Sequence, residues 1–144
     1  MKTFLSLLAL VISLSAACAA PAAGTDAAAP VTATIDADGV QRATVKVDSY
    51  SYTPSHVVVG AGRPVELILV SVTSMVPHNL VLNDPASGLS LKQDIGAGKT
   101  VKLTFTPARA GTFAFFCDKK LPFMASHREK GMEGKLEVRE PASP

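Results

Sequence analysis

The chain has 144 residues, 47% of them hydrophobic and 6% aromatic, with no tryptophan and a formal net charge of +2. That length has room for one domain, and the near-neutral balance excludes a nucleic-acid binder, which carries a strong basic excess. Of the two cysteines, Cys18 sits in what reads as an export signal and is not paired, so Cys117 remains as a lone thiol in the folded part.

Residues 1–19 read as a secretory signal peptide: Lys2, the apolar run Phe4 to Leu14, then the small residues from Ser15 to Ala20. The run is too short for a membrane span, which needs about 20 apolar residues. Two processing routes stay open. Ala17-Cys18-Ala19 fits an ordinary cleavage site and gives a soluble periplasmic product, the preferred reading. Leu14-Ser15-Ala16-Ala17-Cys18 resembles a bacterial lipobox and would make Cys18 a lipid anchor. Residues 20–40 are mostly Ala, Pro, Thr, Gly and Asp and read as a flexible linker. The domain is placed at 41–140, with 141–144 as a frayed tail.

Inside the domain, short apolar runs are broken by Gly, Pro, Asn and Asp, the pattern of an all-β chain. Thr44 to Val47 alternates. Val57-Val58-Val59 and Pro64 to Val72 read as buried strands separated by a turn at Gly60-Ala61-Gly62. His78 to Leu82 is a further strand, ended by Asn83-Asp84-Pro85. Thr100 to Thr106 carries the cleanest period of two, with Val101, Leu103 and Phe105 facing inward. Gly111 to Cys117 and Gly134 to Arg139 complete the set, and Ala125 to Lys130 has room for one helical turn. Roughly seven or eight strands over about 100 residues predict a β-sandwich.

Four side chains carry the chemistry. Cys117 shares a strand face with Phe113 and Phe115, and His78 shares one with Leu80 and Leu82, so a thiol and an imidazole enter the interior together. The loop that follows, bounded by Gly131 and Gly134, brings His127 and Met132 to the same point. Two imidazoles and a thiolate in trigonal array, with a long weak thioether, form the type 1 copper site of electron-transfer proteins. His78, Cys117, His127 and Met132 are therefore the expected ligands of one copper ion, with Met124 as a rival to Met132. Phe113, Phe115, Phe116 and Phe123 are expected to shield it from water. A structural zinc site would use four Cys and His ligands, which this set does not offer. His56 reads as a surface or edge residue and Met75 as loop packing.

Val76-Pro77-His78-Asn79-Leu80 resembles the first ligand motif of the cupredoxins, a family that includes plastocyanin, pseudoazurin and amicyanin. Phe115-Phe116-Cys117, followed by Ser126-His127 and Gly131-Met132-Glu133-Gly134, resembles their ligand loop, and Tyr52-Thr53-Pro54 resembles their early strands. The resemblance covers nearly all of 42–138. It implies a single Greek-key β-sandwich, a type 1 copper, and Asn79 bracing the ligand loop near Cys117 and Asp118. It also implies that the Pro77 carbonyl lies near the metal without ligating it strongly. One departure stands out. Nine residues, Asp118 to Ser126, separate Cys117 from His127, where familiar members have two to four. The extra segment is expected to bulge outward beside the site.

The function expected is periplasmic one-electron transfer, with copper handling or copper tolerance as the alternative. An enzyme is not expected, since the chain holds only His56, His78 and His127 and no H-x-H pair for a catalytic copper. A monomer is expected, with a redox or copper-transfer partner docking at the loop around Lys119, Lys120 and Phe123. Lys119, Lys120, Arg128 and Lys130 would supply a cationic collar for an acidic partner.

Overall fold

The computed structural model describes residues 29–141. The expected signal peptide, the Cys18 anchor and all but the first residue of the tail lie outside that range. Among the described residues eleven strands run in chain order: β1 (Val31–Thr32), β2 (Thr34–Ile35), β3 (Gln41–Asp48), β4 (Ser51–Thr53), β5 (His56–Gly60) and β6 (Val65–Ser71). They are followed by β7 (His78–Asp84), β8 (Leu89–Ile95), β9 (Thr100–Phe105), β10 (Gly111–Phe116) and β11 (Glu133–Arg139). One sheet has the order β1-β5-β11-β10-β7-β8, and the other β2-β3-β6-β9 with β4 paired to β3. Strands distant in sequence lie side by side, β11 between β5 and β10, as in a Greek-key sandwich.

The all-β expectation holds, and the strand count is larger than expected. Strand pairing begins at Val31, inside the stretch assigned to the linker. Val31-Thr32-Ala33-Thr34-Ile35 alternates, and Ala33 is buried while its amide donates to the Val58 carbonyl at 2.9 Å. The segment pairs first with β5 in one sheet and then with β3 in the other, so it stitches the two layers together. β8 is the other element not expected: Leu89 and Ile95 point inward from its two ends, and seven register pairs tie it to β7.

The inward faces follow the pleat. Gln41, Ala43, Val45 and Val47 of β3 are buried, as are Val65, Leu67, Leu69 and Ser71 of β6. Across the sandwich they meet Leu80 and Leu82 of β7, Phe115 of β10 and Leu136 of β11 in one core cluster. Each buried Val, Leu or Phe among them contributes about 1.5–3 kcal/mol relative to exposure. His78 and Cys117 sit on these same inward faces, at the ends of β7 and β10 that meet at one end of the sandwich.

Candidate metal centre

β7 and β10 are antiparallel neighbours, so the first residue of β7 and the residue after β10 come to the same end. His78 and Cys117 occupy those two places, both fully buried. His127 reaches them from a short helical turn. Ser126 Oγ accepts from the Glu129 amide at 3.2 Å, while the Glu129 carboxylate accepts from the Ser126 amide at 2.6 Å and its hydroxyl at 2.7 Å. This reciprocal cap is the S-x-x-E arrangement that starts a helix. Those bonds hold the Glu129 carboxyl below its usual range. The Lys130 amide closes the turn onto the Ser126 carbonyl at 3.1 Å. Gly131 ends it with φ of 91°, a left-handed conformation that suits glycine.

Backbone bonds then fasten the loop to the strand ends. The His127 amide donates to the Lys119 carbonyl at 2.9 Å, the Met132 amide to the His127 carbonyl at 2.9 Å, and the Cys117 amide to the Met132 carbonyl at 3.1 Å. Met132 is fully buried immediately before β11.

Three donor atoms face one another. His78 Nδ1 lies 3.2 Å from His127 Nδ1 and 4.0 Å from Cys117 Sγ, and His127 Nδ1 lies 3.4 Å from Cys117 Sγ. A triangle with these edges leaves a point about 2 Å from every corner, the length of a nitrogen–metal bond. Burial lowers the affinity of both imidazoles for protons, helped by mutual repulsion at His78 and by Lys130 and Lys119 at His127. Both rings therefore keep free lone pairs at neutral pH. Burial pushes the Cys117 thiol up, while backbone amides of Asn79 and Lys119 pull it back by stabilising the thiolate. Two neutral imidazoles and a thiol turned toward one another fill a core poorly and suit a soft cation well.

Asn79 braces this arrangement, as the resemblance implies. Its amide donates to Cys117 Sγ at 3.4 Å. Its side chain donates to Asp118 Oδ1 at 2.6 Å and accepts from the Asp118 amide at 3.0 Å. Lys92 then holds the other Asp118 oxygen at 2.7 Å, and the buried Tyr52 hydroxyl donates to the Asn79 carbonyl. Lys92 has no signal in the sequence, because its strand was not expected.

Several surrounding residues lie elsewhere than expected. Phe123 is 107% exposed, so shielding falls to the aromatic rings of β10 and to the buried aliphatic core. Its backbone explains this: φ of 63° at Phe123 turns the chain sharply at the loop tip and throws the ring outward. Met75 is 84% exposed and packs against little. His56 is half-buried within a sheet, not at its edge, and bonds to Glu137 at 2.8 Å. In the collar, Lys119 pairs with Asp94 at 2.7 Å and Arg128 with Glu133 at 3.3 Å.

A family model described as a cupredoxin-like domain matches residues 6–136. No curated protein matches the chain. Several solved structures do. The metal-binding domain of the Cu(I)-exporting P-type ATPase CopA of Streptococcus pneumoniae D39, with Cu(I), is 19% identical, with a TM-score of 0.59 over 78% of this chain and 97% of that one. Auracyanin A, a "blue" copper protein from Chloroflexus aurantiacus, is 21% identical, with a TM-score of 0.51 over 68% and 99%. A multicopper oxidase is 14% identical, with a TM-score of 0.57 over 75% of this chain and 46% of that one. At such identities the likeness is one of fold. With the family model spanning residues 6–136, the chain belongs to the cupredoxin-like domain family.

Proposed function

We propose that this chain is an exported type 1 copper protein that transfers one electron at a time. The observation that carries the reading is the buried triangle of His78 Nδ1, His127 Nδ1 and Cys117 Sγ. Met132, fully buried beside them, would complete the donor set with a weak thioether. Bound there, copper would supply a one-electron couple whose two oxidation states accept the same soft donors. The protein's own part is to keep those donors still. On binding the cation Cys117 would release its proton to solvent, while the Asn79 amide donates to the sulfur and the capped turn fixes His127. Leu80 and Phe115 exclude water from the inner side.

A catalytic role lacks ligands. His56 is engaged with Glu137 on another part of the fold, which leaves no histidines for a second copper. Export, to the periplasm or to a membrane anchored through Cys18, follows from the leader-like residues 1–19. An acidic partner would dock at the exposed Leu121, Phe123 and Met124, with Lys119 and Lys120 at the rim. These residues adjoin a largely apolar hollow of about 260 Å³ that His127 lines with Met75, Pro77 and Leu121.

Copper handling is the second reading, favoured by the exposed thioethers of Met75 and Met124 near that end of the molecule. Loading with Cu(II) and recording the visible spectrum tests the site; the expected outcome is an intense thiolate-to-copper band, and a colourless protein overturns the proposal. Deleting the gene separates the two roles, through a respiratory defect for electron transfer or copper sensitivity for copper handling.

A further inference from the structure

The hairpin between β3 and β4 pairs Asp48 with Ser51 and leaves Ser49 and Tyr50 as a two-residue turn. Tyr50 takes φ of 59°. In that left-handed region a side chain crowds the backbone, and turns place Gly or Asn there. An aromatic residue held in such a conformation persists where its side chain does something a glycine cannot.

The half-buried Tyr50 ring packs against the edge of the core, and it makes two further contacts that belong to the capped turn of the candidate metal centre. Its face or edge meets the His127 imidazole at nearly a right angle, 84°, with centroids 5.0 Å apart. Lys130 Nζ stands 4.4 Å from the ring centroid and donates to the Tyr50 hydroxyl at 3.0 Å. Lys130 is tied to His127 as well, its amide donating to the His127 carbonyl at 3.2 Å. Lys130, Tyr50 and His127 thus form a closed set of contacts across two segments about eighty residues apart in sequence.

We propose that Tyr50 is a positioning residue of the metal centre, whose strained turn holds its ring against His127 so that Nδ1 faces Cys117 and His78 before a metal arrives. A histidine ligand free to rotate must be ordered on binding, and one already held costs less to engage. The inference rests on the copper reading above for its purpose, although the placement of the His127 ring can be read without copper.

The test compares Tyr50→Gly and Tyr50→Phe with the wild type. Glycine suits the backbone and removes the ring; phenylalanine keeps the ring and removes only the hydroxyl. Tyr50→Gly is expected to bind Cu(II) about tenfold more weakly, the low end for loss of a residue that orients a ligand. Its Tm should shift little, because relief of the turn strain offsets the packing that the ring loses against the core. Tyr50→Phe is expected to stay within about twofold of the wild type. In the metal-free protein, NMR should show the His127 ring resonances shifted and averaged in Tyr50→Gly alone. Wild-type affinity together with unchanged ring resonances in Tyr50→Gly overturns the inference. So does a loss of affinity that follows a lowered Tm, since Tyr50 would then serve the fold alone. A wild type that binds no copper overturns the copper reading instead, and the metal-free ring resonances then decide the role of Tyr50 by themselves.

Discussion

The sulfur of Cys117 lies 3.4 Å from the Asn79 amide that donates to it, is stabilised by the Lys119 amide as well, and faces two imidazole nitrogens and the apolar core. A serine hydroxyl fits that space but cannot supply ligand-to-copper charge transfer. Cys117→Ser is therefore expected to fold and to lose the visible band on Cu(II) loading, checked by absorption alongside Tm; retained colour would show that the thiolate is not a ligand. The two methionines separate by burial. Met132 is fully buried between the His127 and Cys117 backbones, whereas Met124 is about half exposed on the outer loop. A weak axial thioether tunes the site without holding it together. Met132→Leu should keep copper and raise the reduction potential, measured by voltammetry, while Met124→Leu leaves the spectrum as it was. The reverse pattern would place the outer loop over the metal. The sequence made His78, Cys117 and His127 legible as a converging set because their types and spacing are uncommon together. It gave no sign of Tyr50, whose side chain matters through a backbone angle and a contact across the fold.

At the scale of the element, β10, the ligand loop and β11 work as one unit. Six register pairs zip β10 to β11, from Gly111 with Val138 to Phe116 with Glu133. The loop can then reach only as far as the strand ends permit. Gly134 sits where the strands come closest. A Cβ there would stand 2.4 Å from Phe115 Cζ and 2.6 Å from the Ser55 carbonyl oxygen. The carbonyl is backbone and cannot swing aside, and Lys135 also donates to it at 2.8 Å. Gly134→Ala should thus destabilise the protein by about 1–3 kcal/mol, as overpacking does, read as a lower urea midpoint at unchanged m. An unchanged midpoint would mean that β5 and β11 separate freely at Ser55. The sequence leaves room for one helical turn over Ala125 to Lys130, and the structure adds the Ser126–Glu129 cap that starts it. The outward direction of Phe123 was not legible, because it follows from one positive φ inside a nine-residue loop.

Across the whole molecule, the metal centre, the apolar hollow beside it and the exposed Leu121, Phe123 and Met124 gather at one end of the sandwich. Exposed apolar groups beside lysines suit a partner with an acidic rim, and charge of this kind acts on association rate more than on affinity. Lys119 is already paired with Asp94, so Lys120 is the cleaner residue to reverse. Lys120→Glu is expected to slow transfer to an isolated acidic partner several-fold at low salt, with the difference closing as ionic strength rises and the colour unchanged. Equal rates at every salt concentration would remove the loop from the docking surface. The sequence by itself determined the all-β class, the inward parity of His78 and Cys117, and the choice of His78, Cys117 and His127 as side chains that converge. Those depend on a period of two and on the chemistry of single side chains, both of which are local. Only the tertiary structure decided that Val31 to Ile35 joins both sheets, that Lys92 reaches Asp118 from a strand beside β7, and that a strained Tyr50 lies against His127. Each of these joins residues far apart in the chain, and nothing in a local pattern records which distant segment will supply the other half of a contact.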